Sequence, residues 1–259
     1  MEVIGNVGFA LLLTVIAGLS TGIGSSIAYF IKRPKTIYLS FSLGLSAGVM
    51  IYVSFVELLP QALDNIGELL AVTAFFLGIF FISIIDMVIP EKENPHSFSG
   101  LSENIDPRNK KDLMRTGLFT ALAIGIHNFP EGLATFGTAL GDPKLGIVIA
   151  IAIAIHNIPE GISVSIPIFY ATNSKNKAFL YSFLSGVAEP IGALIGFLIL
   201  LPFLSSAVLV SLMAFVAGIM VYISIDELLP MAHQYGHSHT VIIGVILGMM
   251  LMAFSIIIL

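Results

Sequence analysis

The stretch AIGIHNFPEGLA at residues 123–134 is answered by AIAIHNIPEGIS at residues 152–163. His-Asn-x-Pro-Glu-Gly is thus written twice, His127 and His156 standing 29 positions apart. Each copy lies inside an apolar stretch long enough to cross a bilayer, which takes about 20 residues of helix. Residues four apart share a helix face. His127 therefore lies over Glu131 and His156 over Glu160, with Asn128 and Asn157 one step around. Pro130 and Pro159 have no N–H, which releases the carbonyls of Ile126 and Ile155. A free carbonyl at membrane depth must face protein, water or a ligand. Each motif thus offers an imidazole, an amide oxygen, a carboxylate and a carbonyl near the middle of a span.

The rest of the chain fits a membrane setting. Of its 259 residues, 57 % are hydrophobic and 10 % charged, which is the balance of a membrane protein and leaves no room for a sizeable soluble domain. With no Cys, disulfides and thiolate metal ligands are excluded. No phosphate-cradling loop ending in Lys-Ser/Thr is present, which argues against an ATP-driven motor, and nothing points to nucleic acid. Glu2 and the lack of a basic leader favour a retained first span over a cleaved signal. Apolar stretches predict eight transmembrane helices at about 3–31, 36–60, 67–90, 115–140, 145–170, 178–201, 205–231 and 240–259. The chain reads as one all-α polytopic domain over residues 1–259, with a polar, flexible loop at 91–114.

Charge sets the expected orientation. Lys32, Arg33 and Lys35 follow span one; Lys92, Arg108, Lys110, Lys111 and Arg115 follow span three; Lys175 and Lys177 follow span five. Only Lys144 falls on the other side. The positive-inside rule makes the rich side cytoplasmic, with the 91–114 loop on it and both termini outside.

The repetition extends further. SAGVMIYVSFVELLP at 46–60 and VAGIMVYISIDELLP at 216–230 agree at nine of fifteen positions. They fall on spans two and seven, and the duplicated motifs on spans four and five. A weaker echo, GLSTGIGS at 18–25 against GVAEPIGA at 186–193, pairs spans one and six. In each pair the ordinals differ by an odd number, so the partners run in opposite directions. This is the pattern of an inverted-topology repeat, spans 1–3 mirrored by 6–8 about a central pair, which is a transporter signature.

Further acid lies within the spans: Glu189 before a Pro in span six, Glu57 in span two, Asp226 and Glu227 in span seven. Each central charge costs about 2.5–3.5 kcal/mol to insert, and no Lys or Arg is expected at that depth. Protons, water or bound cations must compensate. A single membrane His is ordinarily a helix–helix hydrogen bond. The duplicated motif with further acids nearby points instead to divalent ions of the Zn, Fe, Mn or Co kind.

At these residues the chain resembles the ZIP (Zrt/Irt-like) metal transporter family, and bacterial members of it. The likeness covers essentially the whole chain: eight spans, HNFPEG in span four, HNIPEG in span five and the Glu of span six. It implies uptake of Zn²⁺, and of Fe²⁺, Mn²⁺, Co²⁺ or Cd²⁺, across the bacterial inner membrane through a binuclear centre, with the metal as cargo rather than cofactor. Carried over, one site would use His127, Glu131, His156 and Glu160. The second would use Asn128, Glu131, Asn157, Glu160 and Glu189, with Glu131 and Glu160 bridging. Some relatives place Gln and Asp where this chain has His156 and Asn157, so its second site is the less anionic. The resemblance also favours rigid-body motion of spans 1, 4, 5 and 6 against 2, 3, 7 and 8.

Secondary features extend the path. Glu57 and Glu227 are repeat-related and read as its two ends or as interfacial carboxylates, with Asp226 adding acid beside Glu227 on the same terms. His233, His237 and His239 form a landing site for departing metal, or a polar turn at a helix end. Spacings such as Gly44-x-x-x-Gly48, Gly192-x-x-x-Gly196 and Gly244-x-x-x-Gly248 allow close helix approach, for sliding or for a homodimer. Metal binding needs neutral imidazole and ionised carboxylate, so uptake is expected to fall as pH drops through about 6. The alternatives are an intramembrane metal-dependent hydrolase built on the same ligands, disfavoured by the absence of a His-Glu-x-x-His helix, and a metal-sensing receptor.

Overall fold

A computed structural model describes residues 6–27, 30, 36–88, 110–200 and 205–258. These residues form eight long helices: α1 (Val7–Ile27), α2 (Thr36–Ile66), α3 (Glu68–Val88), α4 (Lys110–Gly141), α5 (Pro143–Thr172), α6 (Lys175–Leu200), α7 (Ser206–Gln234) and α8 (Ser238–Ile258). Their order and bounds follow the eight expected spans within a few residues. Seven are long and apolar enough to cross a membrane by length and composition, and α4 is not among them. Its half of the duplicated motif stands among Gly and Thr rather than among the Ile residues that surround the motif in α5, so α4 is the less apolar of the two. Its polar side chains Thr120, His127, Asn128, Glu131, Thr135 and Thr138 are buried within the bundle.

The expected loop at 91–114 is shorter than the sequence suggested, because its last residues, from Lys110, already belong to α4. The rest of that loop, including Lys92 and Arg108, lies outside the described residues, as do Lys32, Arg33 and Lys35.

Spans two and seven also run past their expected ends at about 60 and 231, to Ile66 and Gln234. In α2 the α-helix to Val53 passes into a π-helical turn, Ser54–Leu58, then resumes as α-helix from Leu59 with Pro60 in its first turn. In α7 the same happens at Ser224–Leu228, with Pro230 following. The N–H of Leu59 reaches back five residues to Ser54, and that of Leu229 to Ser224. Pro then occupies a position where no intrahelical N–H is needed, so the helix survives it.

Four connections, α2–α3, α4–α5, α5–α6 and α7–α8, are tight enough to make those neighbours antiparallel. Gly67, at φ 81°, turns α2 into α3. Asp142 caps α5, its side chain accepting from the N–H groups of Lys144 and Leu145. Asn173, left-handed at φ 53°, begins the turn into α6. Lys110, Lys111 and Arg115 at the start of α4 thus share a face of the bundle with Lys175 and Lys177 at the start of α6, and Lys144 lies at the opposite face.

Two groups of helices result. α1, α4, α5 and α6 pack on one another; α2 packs on α8 and α3 on α7. The groups meet where α2 crosses α5 and α4 crosses α7. The main apolar core, with Leu43, Met50, Phe75, Ile153, Val216 and Met220, fills this meeting zone. Outward faces are apolar too: Phe76, Phe80 and Ile84 on α3 and Ile243, Ile246 and Phe254 on α8 are all exposed. Such a belt is stable against hydrocarbon and not against water.

The small-residue spacings serve packing within the chain. Gly44 and Gly48 of α2 lie against Val241 and Val245 of α8, whose Gly244 and Gly248 lie against Phe41 and Leu45. Gly192 and Gly196 of α6 lie against Phe129 and Leu133 of α4.

Candidate metal site

All seven residues singled out in the motifs are fully buried, at 0 % exposure: His127, Asn128 and Glu131 on α4, His156, Asn157 and Glu160 on α5, Glu189 on α6. What brings them together is close approach of backbones. A Cβ on Gly132 would overlap the Glu189 carbonyl, and one on Gly161 the Thr21 carbonyl. The Gly of each motif thus lets α4 settle on α6 and α5 on α1, one residue after the carboxylate it positions.

The contacts cross between motifs. His127 Nε2 faces Glu160 Oε2 at 3.3 Å, and His156 Nε2 faces Glu131 Oε2 at 3.4 Å. A charge-assisted hydrogen bond is shorter, about 2.7–2.9 Å. Two donors on one tetrahedral zinc, each about 2.0–2.2 Å from it, stand about 3.3–3.5 Å apart. Each imidazole–carboxylate pair therefore has the spacing of two adjacent corners of a zinc tetrahedron. The contacts stay pairwise, however: among the described residues no three His, Asp or Glu side chains stand as a group that could hold one ion.

The asparagines are tethered by backbone. Asn157 Nδ2 donates to the Ala17 carbonyl at 3.1 Å and to Glu189 Oε2 at 2.8 Å. Asn128 Nδ2 donates to the Ser185 carbonyl at 3.2 Å. With the amide nitrogens so held, both Oδ1 atoms are buried without a hydrogen-bond partner. The same is true of Glu131 Oε1, Glu189 Oε1, His127 Nδ1 and His156 Nδ1. Buried polar atoms are almost always paired, so these six atoms without a hydrogen bond set the motif residues apart from the rest of the interior.

Two further residues join the cluster. Glu227 of α7 is 1 % exposed, with Oε2 3.7 Å from His127 Nδ1. The sequence reads it as one end of a path; in the structure it lies in the π-turn of α7, beside His127. Ser46 of α2 was missed. It is fully buried and donates to Glu160 Oε1 at 2.9 Å. Its signal was a polar residue where the matching stretch of span seven has Val216. Four carboxylates, Glu131, Glu160, Glu189 and Glu227, are thus buried together, and among the described residues no Lys or Arg is buried.

The remaining path residues stand apart. Glu57 is half-buried and accepts from Gln61 Nε2 at 2.8 Å. Asp226, His233 and His239 are exposed. His233 Nδ1 donates to the Leu229 carbonyl at 2.7 Å, and His237 Nε2 lies 3.0 Å from Thr36 Oγ1. The three histidines do not close into a group that could hold an ion.

Residues 89–256 match the ZIP Zinc transporter family. Relatives described as "Zinc transporter ZupT" are 56 % identical in Chlorobium phaeovibrioides (96 % of this chain, 97 % of the relative), 56 % identical in Streptococcus mutans (95 % and 96 %) and 52 % identical in Clostridium perfringens (97 % and 96 %). A buried His–Glu centre on two copies of one motif, in a bundle with an apolar exterior, and full-length likeness at this level lead to one conclusion: the chain belongs to the ZIP zinc transporter family.

Proposed function

We propose that this chain takes up Zn²⁺ from outside into the cytoplasm of a bacterial cell, through two metal sites at the membrane midplane that share Glu131 and Glu160. The carrying observation is the burial of four carboxylates and two imidazoles with no basic side chain buried beside them among the described residues. Ionised carboxylates at such depth need cationic company, and imidazole with carboxylate is the donor set of zinc and its first-row neighbours. One ion would take His127, Glu131, His156 and Glu160. The other would take Asn128, Asn157 and Glu189 with the shared carboxylates. That oxygen-only set would also accept Fe²⁺, Mn²⁺, Co²⁺ or Cd²⁺ less selectively. Glu227 behind His127 Nδ1 would orient that ring as an acid behind a metal-bound imidazole does. A ZIP family member is a transporter, not an enzyme, and this sets the hydrolase alternative aside.

Transport follows from symmetry. Spans 1–3 and 6–8 form an inverted repeat about α4 and α5, and what supports this is the correspondence of contacts. Gly24 packs on Ile158 as Gly192 packs on Phe129, and Gly161 on Thr21 as Gly132 on Glu189. Asn157 reaches Ala17 as Asn128 reaches Ser185. Both long helices carry their π-turn at matching places. The α1/α4/α5/α6 group slides against α2/α3/α7/α8, carrying its ligands between the two sides. Lys110, Lys111, Arg115, Lys175 and Lys177 face the cytoplasm in this arrangement, the termini face outward, and α4 spans the membrane within the bundle. His233 at the end of α7, His237 on the turn and His239 at the start of α8 receive departing metal singly.

The test is Zn²⁺ influx into proteoliposomes, comparing the wild type with Glu160→Ala and with Glu68→Ala, a change at an exposed position. Loss of influx in the first variant alone is expected. Equal influx in all three would refute the assignment, and no influx in folded, zinc-binding wild type would refute transport.

A further inference from the structure

The two halves of the site are not equivalent, and the difference lies at position 46. Ser46 opens SAGVM in α2, and Val216 opens the matching VAGIM in α7. Both side chains are fully buried. The Ser46 hydroxyl has one proton to give, and Glu160 Oε1 at 2.9 Å is a better acceptor than Met50 Sδ at 4.0 Å. Glu160 therefore has both oxygens engaged, Oε1 by Ser46 and Oε2 facing His127. Glu131 has its Oε2 toward His156 and its Oε1 without a partner. Val216 carries no donor that could even the balance. The Ser46 bond also crosses the boundary between the helix groups, since α2 belongs to one and α5 to the other.

We propose that Ser46 is a positioning residue for Glu160 that tilts metal selectivity toward zinc. The hydroxyl engages Oε1, so Glu160 meets the ions mainly through Oε2 while Glu131 stays free to offer both oxygens. Zinc is satisfied by four donors. Mn²⁺ favours six oxygens, and an oxygen already accepting from a hydroxyl is the weaker donor for chelating it. The inference rests on the zinc-site reading above and adds a determinant of selectivity to it.

Ser46→Thr and Ser46→Val form a matched pair. Both side chains have the same branched shape, which position 216 accommodates in the other repeat, and only Thr keeps the hydroxyl. Two readouts are taken: Zn²⁺ affinity with Mn²⁺ competition on purified protein in detergent, and KM and kcat for Zn²⁺ uptake in proteoliposomes. Ser46→Thr should match the wild type. Ser46→Val should lose about 10–100-fold in zinc affinity, the usual effect of removing a partner of a metal-ligating group. Its Zn²⁺/Mn²⁺ preference should narrow, with the transport change in KM rather than kcat. Equal affinities and equal preference in Thr and Val would overturn the proposal. Should both lose affinity through bulk, Ser46→Ala decides: a narrowed preference supports the proposal and a wild-type preference overturns it. Wild-type protein that binds no zinc would instead overturn the zinc-site reading, and this inference with it.

Discussion

Asn157→Asp places a second carboxylate against Glu189 and so tests whether the two residues share a metal compartment. The amide nitrogen of Asn157 lies 2.8 Å from Glu189 Oε2, and an Asp oxygen would stand in its place. Two unit charges at 2.8 Å repel by about 6 kcal/mol at an effective dielectric near 20. The donation to the Ala17 carbonyl is lost as well. A proton shared between the two oxygens would absorb most of that repulsion, so the figure is a ceiling on the destabilisation. A divalent ion between the carboxylates reverses its sign. The variant should therefore be less stable than wild type in chelator and gain more from zinc. If the second compartment binds ten times more tightly, zinc adds about 1.4 kcal/mol more to stability. For a chain of this size that is roughly 3–6 °C in the denaturation midpoint. The assay is thermal denaturation in detergent, in chelator and across a zinc titration, with zinc stoichiometry by equilibrium dialysis. A chelator midpoint and a zinc-induced shift both equal to wild type would refute the reasoning.

Glu227→Gln removes the charge behind His127 Nδ1 while keeping the shape, and should weaken zinc binding about 10–100-fold by dialysis; unchanged affinity would separate Glu227 from the ring it faces. Gly132→Ala drives a methyl into the Glu189 carbonyl. It should cost about 1–3 kcal/mol of stability, read as a lowered denaturation midpoint, together with zinc binding. Gly8→Ala, with nothing within 4 Å of the new methyl, should change neither. A cysteine pair at Gly141 on α4 and Leu209 on α7 spans the two helix groups where they touch. In a chain without native Cys, a short thiol crosslinker there should stop zinc uptake reversibly, and uninterrupted uptake would rule out sliding of the groups.

Much of the molecule is legible in residues 1–259 because lipid makes local sequence decisive. A span must be long and apolar, so the helices could be placed from composition, and α5 emerged with its bounds nearly as expected. That each motif's His and Glu lie on one face was legible because i and i+4 on one helix share a face wherever that helix is put. Failures came where local rules yield to packing. Spans two and seven were expected to end at about 60 and 231, yet past their π-turns the helices run on to Ile66 and Gln234. Glu227 and Glu57 occupy matching places in the repeat. One is buried beside His127, and the other is half-buried against Gln61.

The sequence by itself determined an eight-helix membrane protein with a twice-written His-Asn-x-Pro-Glu-Gly motif. Period, polarity and composition are properties of each segment alone, and the bilayer reads them segment by segment. Only the tertiary structure decided the pairings: His127 meets Glu160 and His156 meets Glu131, each across the motifs rather than along its own helix. It alone decided that Ser46 holds one oxygen of Glu160 and that the asparagines hang from the carbonyls of Ala17 and Ser185. The physical reason is that these contacts depend on which helices approach and how closely. That is set by glycines touching backbone on another helix, and no periodicity within a single helix encodes the identity of its neighbour.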